Sequence, residues 1–439
     1  MWPYFPDLLA RPVPRYTSYP PATHFTDAVG ADDQAKALNG VASGTPVSLY
    51  AHIPYCQSIC WYCGCNTGAA GRTQRLHAYL EALEAEMALV AKMLGGRGKL
   101  QRIAFGGGSP NAIEPIAFVR LVDRLVTMFA GNNPDISVEI DPRAFSLEWA
   151  MTLAVAQVSR VSFGVQSFDP EIQAAIGRVQ PADMIETCIA SLRARGIKSI
   201  NFDLMYGLPN QTNESLLDTL DHVARMRPSR IALFGYAHLP HIFPRQKRID
   251  ALTLPGIEAR FEQAAIGYER LVSEGYVPIG FDHFALPDDP IAIAAAKGKV
   301  RRNFQGFTED QSDVLIGFGA SAISQFPDAI IQNEKNPGSY RQIVGAHQLA
   351  GRRGLIRGSE HQLRAKRIEQ LLCTGRAETS CLTNDSAAMA SLRQLLERRL
   401  VVQDGNVIEL TDAGRPYARV VAALFDTTLP VLGAGSLAA

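Results

Sequence analysis

Net charge is the first thing this sequence lacks: 43 Lys and Arg balance 43 Asp and Glu over 439 residues. Without a basic field, nucleic acid is excluded as the main partner, while a local basic pocket for a small polyanion stays open. Internal repeats and low-complexity stretches are absent too. With 47% hydrophobic residues, 20% charged residues, 26 Pro and 36 Gly, the composition excludes disorder, collagen-like repeats and disulfide-dense scaffolds. The opening Met1-Trp2-Pro3-Tyr4-Phe5-Pro6-Asp7 has neither a positive lead nor an apolar run, so no secretion signal is expected. The best candidate membrane span, from Val420 onward, is interrupted by Asp426 and Pro430 and is expected not to cross lipid. A cytoplasmic protein follows, in a compartment where structural disulfides are rare.

What the sequence does have is cysteine in one place. Of seven cysteines, Cys56, Cys60, Cys63 and Cys65 fall within ten residues. A disulfide, a structural zinc site and an iron–sulfur cluster are the three readings of that spacing. Zinc sites usually take ligands as two separated pairs, and no second Cys-x-x-Cys or His pair follows. Thiolates packed this closely and followed by glycine can wrap one compact cluster, a [4Fe–4S] centre with three cysteines and one open iron.

Apolar, β-branched runs alternate with segments of helical period. The expected strands are 48–55, 102–105, 136–140, 160–165, 199–205 and 230–236, and the expected helices 75–94, 117–128, 147–156, 182–195 and 214–225. Alternating βα units imply parallel strands, in a doubly wound sheet or a partial TIM-like barrel. The strands run into the cysteines, Gly106-Gly107-Gly108-Ser109-Pro110, Asp141-Pro142-Arg143, Gln166, Gly207-Leu208-Pro209 and Tyr236-Ala237-His238. Parallel α/β folds place active sites at those carboxyl ends, so one pocket could collect all six. After about Gly345 a helix–hairpin pattern predicts a second, winged-helix-like module.

Cys56-x-x-x-Cys60-x-Tyr62-Cys63 after a first strand resembles the signature of radical S-adenosylmethionine (SAM) enzymes. Leu49–Cys56, Cys65, Pro14–Pro20, Tyr206–Pro209, Tyr236–Pro240, Asp282–Ala285 and Arg302–Phe307 resemble the oxygen-independent coproporphyrinogen III oxidases of haem biosynthesis. The resemblance runs from about residue 12 to 345. It implies a (β/α)6 radical SAM barrel with a smaller C-terminal helical, winged-helix-like domain, divided as 1–45 (substrate-covering), 46–345 (catalytic) and 346–439. Three departures are Ser109 where Thr is usual, Phe105 where Trp is usual, and a divergent C-terminal domain carrying Cys373 and Cys381.

By that resemblance Cys56, Cys60 and Cys63 ligate three irons, and Cys65 is a further thiol with either a packing or a chemical role. Gly106, Gly107, Gly108 and Ser109 would meet the SAM aminoacyl end, with Glu139 and Ile323 on the same molecule. A second SAM would contact Gln166, Arg178, Asp203 and Ala237. Tyr50 and Tyr62 would flank cluster and adenine, and Tyr50, His52, Arg15 and Cys65 are the catalytic candidates. Blander readings remain for several: core packing for the tyrosines, a salt bridge for Glu139, an internal hydrogen bond for Asp203 and a solvated lead-in for the coil around Arg15. Arg15, Arg143, Arg301 and Arg302 are the candidates to pair substrate carboxylates.

The implied reaction is radical decarboxylation of two propionates of coproporphyrinogen III to vinyl groups, giving protoporphyrinogen IX by way of a 5′-deoxyadenosyl radical. The expected cofactors are a [4Fe–4S] cluster and two SAM molecules, with coproporphyrinogen III and an unidentified electron donor and acceptor as partners of a monomer. A haem chaperone of the same family and a radical SAM haem-modifying enzyme are the competing readings. The oxidase reading expects Arg15, Tyr16 and Ser18 to close over the porphyrinogen edge. It also expects deletion of residues 1–22 to spare the fold.

Overall fold

The computed structural model describes residues 2–71 and 73–428. All six expected strands are present: β1 (Thr45–Ile53), β2 (Gly98–Gly107), β3 (Asp135–Ile140), β4 (Arg160–Gln166), β5 (Ser199–Tyr206) and β6 (Arg230–Gly235). Each lies parallel to the next. Parallel neighbours need long crossovers, supplied by helices Thr73–Leu94, Pro115–Met128, Leu147–Val155, Ala182–Arg193 and Asn213–Met226. The first shows why the chain coils there. Leu76, Leu80, Leu83, Met87, Val90 and Leu94 recur at three- and four-residue steps and are all buried. Burial of each such side chain is worth about 1.5–3 kcal/mol.

The sheet is larger than the periodicity predicts, with twelve strands. Val314–Phe318 pairs parallel to β1, and Ile323–Gln325, Ala329–Asn333 and Gly351–Ile356 follow it antiparallel. At the other edge His283–Ala285 adds antiparallel to β6, and Val277–Ile279 adds antiparallel to His283–Ala285. Three-to-six-residue strands carry too few alternations to stand out, and most of these do not follow a helix. Gly351–Ile356, past the boundary expected at 346, belongs to this sheet.

Beyond it lie helix Ser359–Thr374, strand Arg376–Glu378, helix Ser386–Glu397 and the hairpin Val401–Asp404 with Val407–Leu410. After the hairpin come three short helical pieces, Arg415–Tyr417, Ala418–Ala422 and Ala423–Phe425. The rest of the tail, 429–439, lies outside the described residues. Among the described residues no helix is long and apolar enough to cross a membrane.

The N-terminal segment is where expectation and structure part most. Leu8, Leu9, Val13, Tyr16 and Tyr19 are buried in one core with Leu371, Leu392, Ile408 and Phe425 of the C-terminal module. Tyr16 Oη donates to Asp426 at 3.0 Å, and Ser18 Oγ donates to the carbonyl of Pro20 at 3.2 Å. Neither hydroxyl is held over the catalytic mouth. This packing weighs against the expectation that a 1–22 deletion spares the fold. Val29 and Leu38 belong instead to the main core, which divides the expected 1–45 unit between two cores.

Candidate active site

The cysteine loop leaves β1 at Ile53 and is braced from below by the turn after β2. Gly108 N donates to the Ile53 carbonyl at 2.8 Å, and Ser109 N to the Tyr55 carbonyl at 2.8 Å. The three glycines are needed because protein fills the space a Cβ would take. At Gly106 it would lie 2.7 Å from the Glu139 carboxyl, at Gly107 2.4 Å from the His52 ring, and at Gly108 2.5 Å from the Tyr55 carbonyl. Gly107 also has φ +109°, a backbone region that favours glycine.

The strand ends enclose a cavity of about 370 Å³. Cys56, Cys60, Cys63, Cys65 and Tyr62 line it from the β1 loop, Gly107 and Gly108 from β2, and Glu139 from β3. Gln166 ends β4 and Arg178 follows it, Asp203 lies on β5, Ala237 follows β6, and Arg15 reaches in from the N-terminal segment. Gln166 sits at φ +69°, a conformation uncommon for a side chain larger than glycine. Five candidates stand behind the wall. Tyr50 is buried with its hydroxyl 3.2 Å from His52 Nδ1 and its ring edge-on to Phe304. Burial pushes His52 down to about 4, so the ring is neutral, and its Nε2 is buried without a partner. Gly106 faces Glu139. Ser109 Oγ is committed to Asn111 and to the Asp141 backbone N–H. Ile323 lies in an antiparallel strand against Gly317.

Two guanidiniums converge on one thiol. Arg143 Nη2 and Arg178 Nη1 each lie 3.2 Å from Cys60 Sγ, and both arginines pair with Asp141. Arg178 therefore braces the cysteine loop, and Arg143 is spoken for rather than offered to a substrate carboxylate. Arg301 is likewise paired, with Glu369 and Asp313. Cys65 N–H donates to Cys63 Sγ at 3.3 Å. The Cys65 thiol and backbone hold Cys63 down to about 6, while burial holds Cys56 up at about 12. Asp203 accepts from Ser162 Oγ at 3.0 Å and Asn201 Nδ2 at 2.9 Å, so the internal-bond reading of that residue describes what is seen. Its carboxyl is nonetheless raised by burial. Glu139 is open to the cavity, but the cavity is walled by protein. Poor solvation and the nearby Asp203 raise Glu139 to about 7, against one hydrogen bond from Gly107 N at 3.2 Å.

Among the described residues no three His, Cys, Asp or Glu groups converge as a single metal ion would require. A four-iron cube takes one thiolate per iron and asks for no such convergence. The donor set around the cavity, three thiols on one loop beside two arginines, fits an anionic cluster.

Residues 50–223 match the radical SAM superfamily. An oxygen-independent coproporphyrinogen III oxidase from Bradyrhizobium diazoefficiens is 41% identical over 95% of this chain and 95% of its own. One from Pseudomonas aeruginosa is 38% identical over 95% and 94%. The chain belongs to the oxygen-independent coproporphyrinogen III oxidases of the radical SAM superfamily. A solved member, coproporphyrinogen III oxidase from Escherichia coli, described as a radical SAM enzyme, superposes with a TM-score of 0.90 at 35% identity. That match covers 98% of this chain and 100% of the other. Membership makes the chain an oxidoreductase that uses SAM.

The residues that sequence reasoning missed in this coproporphyrinogen oxidase site follow β6. Arg245 donates to Thr67 Oγ1 at 2.9 Å and to its carbonyl at 3.0 Å, and Gln246 Nε2 to the Tyr62 carbonyl at 2.8 Å. Phe243 packs on Gly64. The one available signal is that Pro240–Arg248 holds three cations and no carboxylate directly after the Tyr236-Ala237-His238 strand end.

Proposed function

We propose that this chain converts coproporphyrinogen III to protoporphyrinogen IX. From each of two propionates a β-hydrogen atom, CO₂ and one electron leave, and a vinyl group remains. The observation that supports this best is one cavity lined by the three motif cysteines, Glu139, Asp203 and Arg15 together. Cys56, Cys60 and Cys63 would hold the [4Fe–4S] cluster, and Glu139 with Gly107 and Gly108 would receive SAM beside it. Gln166, Asp203 and Ala237, on the wall built by β4 to β6, would receive a second SAM. When bound, the cluster and SAM supply the hydrogen-abstracting radical.

The chain's own residues do the rest. Arg143 and Arg178 stabilise negative charge at Cys60 Sγ. Glu139, near its midpoint at neutral pH, can hold a proton at its carboxyl or accept a hydrogen bond from a ligand amine. Arg15 donates to the Gly235 carbonyl at 2.8 Å and lies over the Phe234 ring. It also lines a second cavity, of about 460 Å³, that shares Phe234 and Ala237 with the first. That continuity gives a bulky tetracarboxylate a path from Arg15 to the radical site, where enclosure excludes water.

The test is anaerobic incubation of reconstituted protein with reductant, SAM and coproporphyrinogen III. Protoporphyrinogen IX is the expected product, and Arg15→Ala should raise KM while iron content stays the same. Stoichiometric haem binding with no turnover would replace the oxidase by the carrier.

A further inference from the structure

Another cavity, of about 550 Å³, lies between the segment 16–19 and helix Ser359–Thr374, and its lining is shared with neither catalytic cavity. Arg301, Arg302, Arg357 and Lys366 face Asp313 and Glu369 there. Arg301 takes both carboxylates, at 3.2 and 2.8 Å. Among the described residues neither Arg302 nor Lys366 forms an ion pair with either carboxylate, and Arg357 is drawn to both, and to Asp328, without an ion pair. Asp282, near Arg302 but outside the lining, is bound to His283 at 2.5 Å, and Asp328, near Arg357, is solvent-exposed.

Two of these cations each keep one nitrogen without a hydrogen-bond partner, Arg302 while lying over the Phe281 and Phe307 rings at 5.0 and 4.3 Å. Arg302 donates Nε to the Tyr16 carbonyl at 3.1 Å and Nη2 to the Arg15 carbonyl at 3.0 Å, while Nη1 is buried without a partner. Arg357 is 9% exposed; its Nη2 donates to the Phe326 and Pro327 carbonyls, while Nε is buried without a partner. Buried polar groups are rarely left unpaired, and charged ones cost most. These two guanidiniums line one cavity with an exposed lysine, and the four cations of that lining outnumber its two carboxylates. A guanidinium fork matches the oxygen pair of a carboxylate or phosphate.

We propose that this cavity binds an oxyanion, a carboxylate or phosphate group, on Arg302, Arg357 and Lys366. The occupant would act on catalysis through Arg302, which holds the backbone of the Arg15 that enters the catalytic mouth. Its source is either a carboxylate arm of the substrate or a separate small anion. The first source rests on the proposed function, and the binding site itself does not.

The test uses full-length, anaerobically reconstituted protein titrated with inorganic phosphate against chloride of equal ionic strength, read as Tm. Phosphate should raise Tm saturably, and Lys366→Gln and Arg357→Gln should each weaken its midpoint by about tenfold. Lys366 is exposed, so Lys366→Gln keeps the test decisive should Arg357→Gln fail to fold. Kinetics with coproporphyrinogen III then separate the sources. A KM that rises with phosphate at constant kcat assigns the cavity to a substrate arm, and an unchanged KM assigns it to a separate anion. A phosphate response without any turnover would remove the oxidase reading and leave this site standing. Equal responses to phosphate and chloride, or an unshifted midpoint in Lys366→Gln, would overturn it.

Discussion

The two ends of the same barrel treat buried carboxylates in opposite ways. At the amino ends of the strands, Arg102, Arg160 and Arg230, from β2, β4 and β6, close on Glu309 at 2.7, 2.9 and 3.0 Å. Asp135 and Asp289 complete the network on Arg102 and Arg230. The three guanidiniums hold the Glu309 carboxyl far below the usual carboxylate range. Alternate strands bring inward side chains to one level, which is how three arginines from three strands meet. At the carboxyl ends Glu139 and Asp203 share a walled cavity with the cysteines, and both are pushed up. One end satisfies its charges internally and so fixes the scaffold. The other gives its carboxylates neutral hydrogen-bond donors but no ion pair among the described residues, and so keeps affinity for what is to be bound.

The largest expected effect breaks the open end alone. Cys56→Ala, Cys60→Ala or Cys63→Ala should each abolish SAM cleavage in anaerobically reconstituted protein, which in the parent carries about four irons. Cys65→Ala should keep its iron. Stoichiometric zinc without iron in the parent would remove the cluster reading. Next comes the segment that belongs to neither end. Deleting residues 1–22 removes five side chains buried to 4% exposure or less, each worth about 1.5–3 kcal/mol. The C-terminal module should lose cooperative unfolding and gain protease sensitivity. A truncated protein with parental Tm would return the segment to the role of a cover.

The closed end is tested by Glu309→Ala, which leaves three buried arginines facing one another. Removing one partner of such a network costs about 3–5 kcal/mol, read as a lower denaturation midpoint at unchanged iron content per folded protein. A loss below about 1 kcal/mol would show that the pairing is no stronger than a surface salt bridge and would erase the contrast between the ends.

This contrast also explains what was legible in the sequence. The six βα units and the cysteine loop could be read because each rests on local information, a 3.6-residue stripe or a motif spacing. The convergence of Arg102, Arg160, Arg230 and Glu309 could not, since each residue looks like an ordinary surface charge until parallel register brings the strands level. The same holds for Arg143 and Arg178. Both were named, but their pairing through Asp141 and Cys60 decides that they brace the loop. The closing role expected of Tyr16 and Ser18 rests on the resemblance, and only tertiary packing shows Tyr16 sealed against Asp426.

The smallest effect is the most direct comparison of the two carboxylates. Glu139 is raised from 4.5 to about 7 in the folded protein. Its contribution to stability is therefore fully present below pH 4.5 and lost as pH rises through 7. Glu309 is lowered, so its contribution is present above pH 4.5 and lost only as pH falls into strong acid. Denaturant titrations of cluster-free, SAM-free protein between pH 5 and 8 should thus sense Glu139 and be blind to Glu309. Glu139→Gln, which keeps shape without charge, should match the parent at pH 5 and become the more stable protein by pH 8. Parallel profiles for parent and Glu139→Gln would mean that water or a cation already compensates Glu139, and the open end would then be no less satisfied than the closed one.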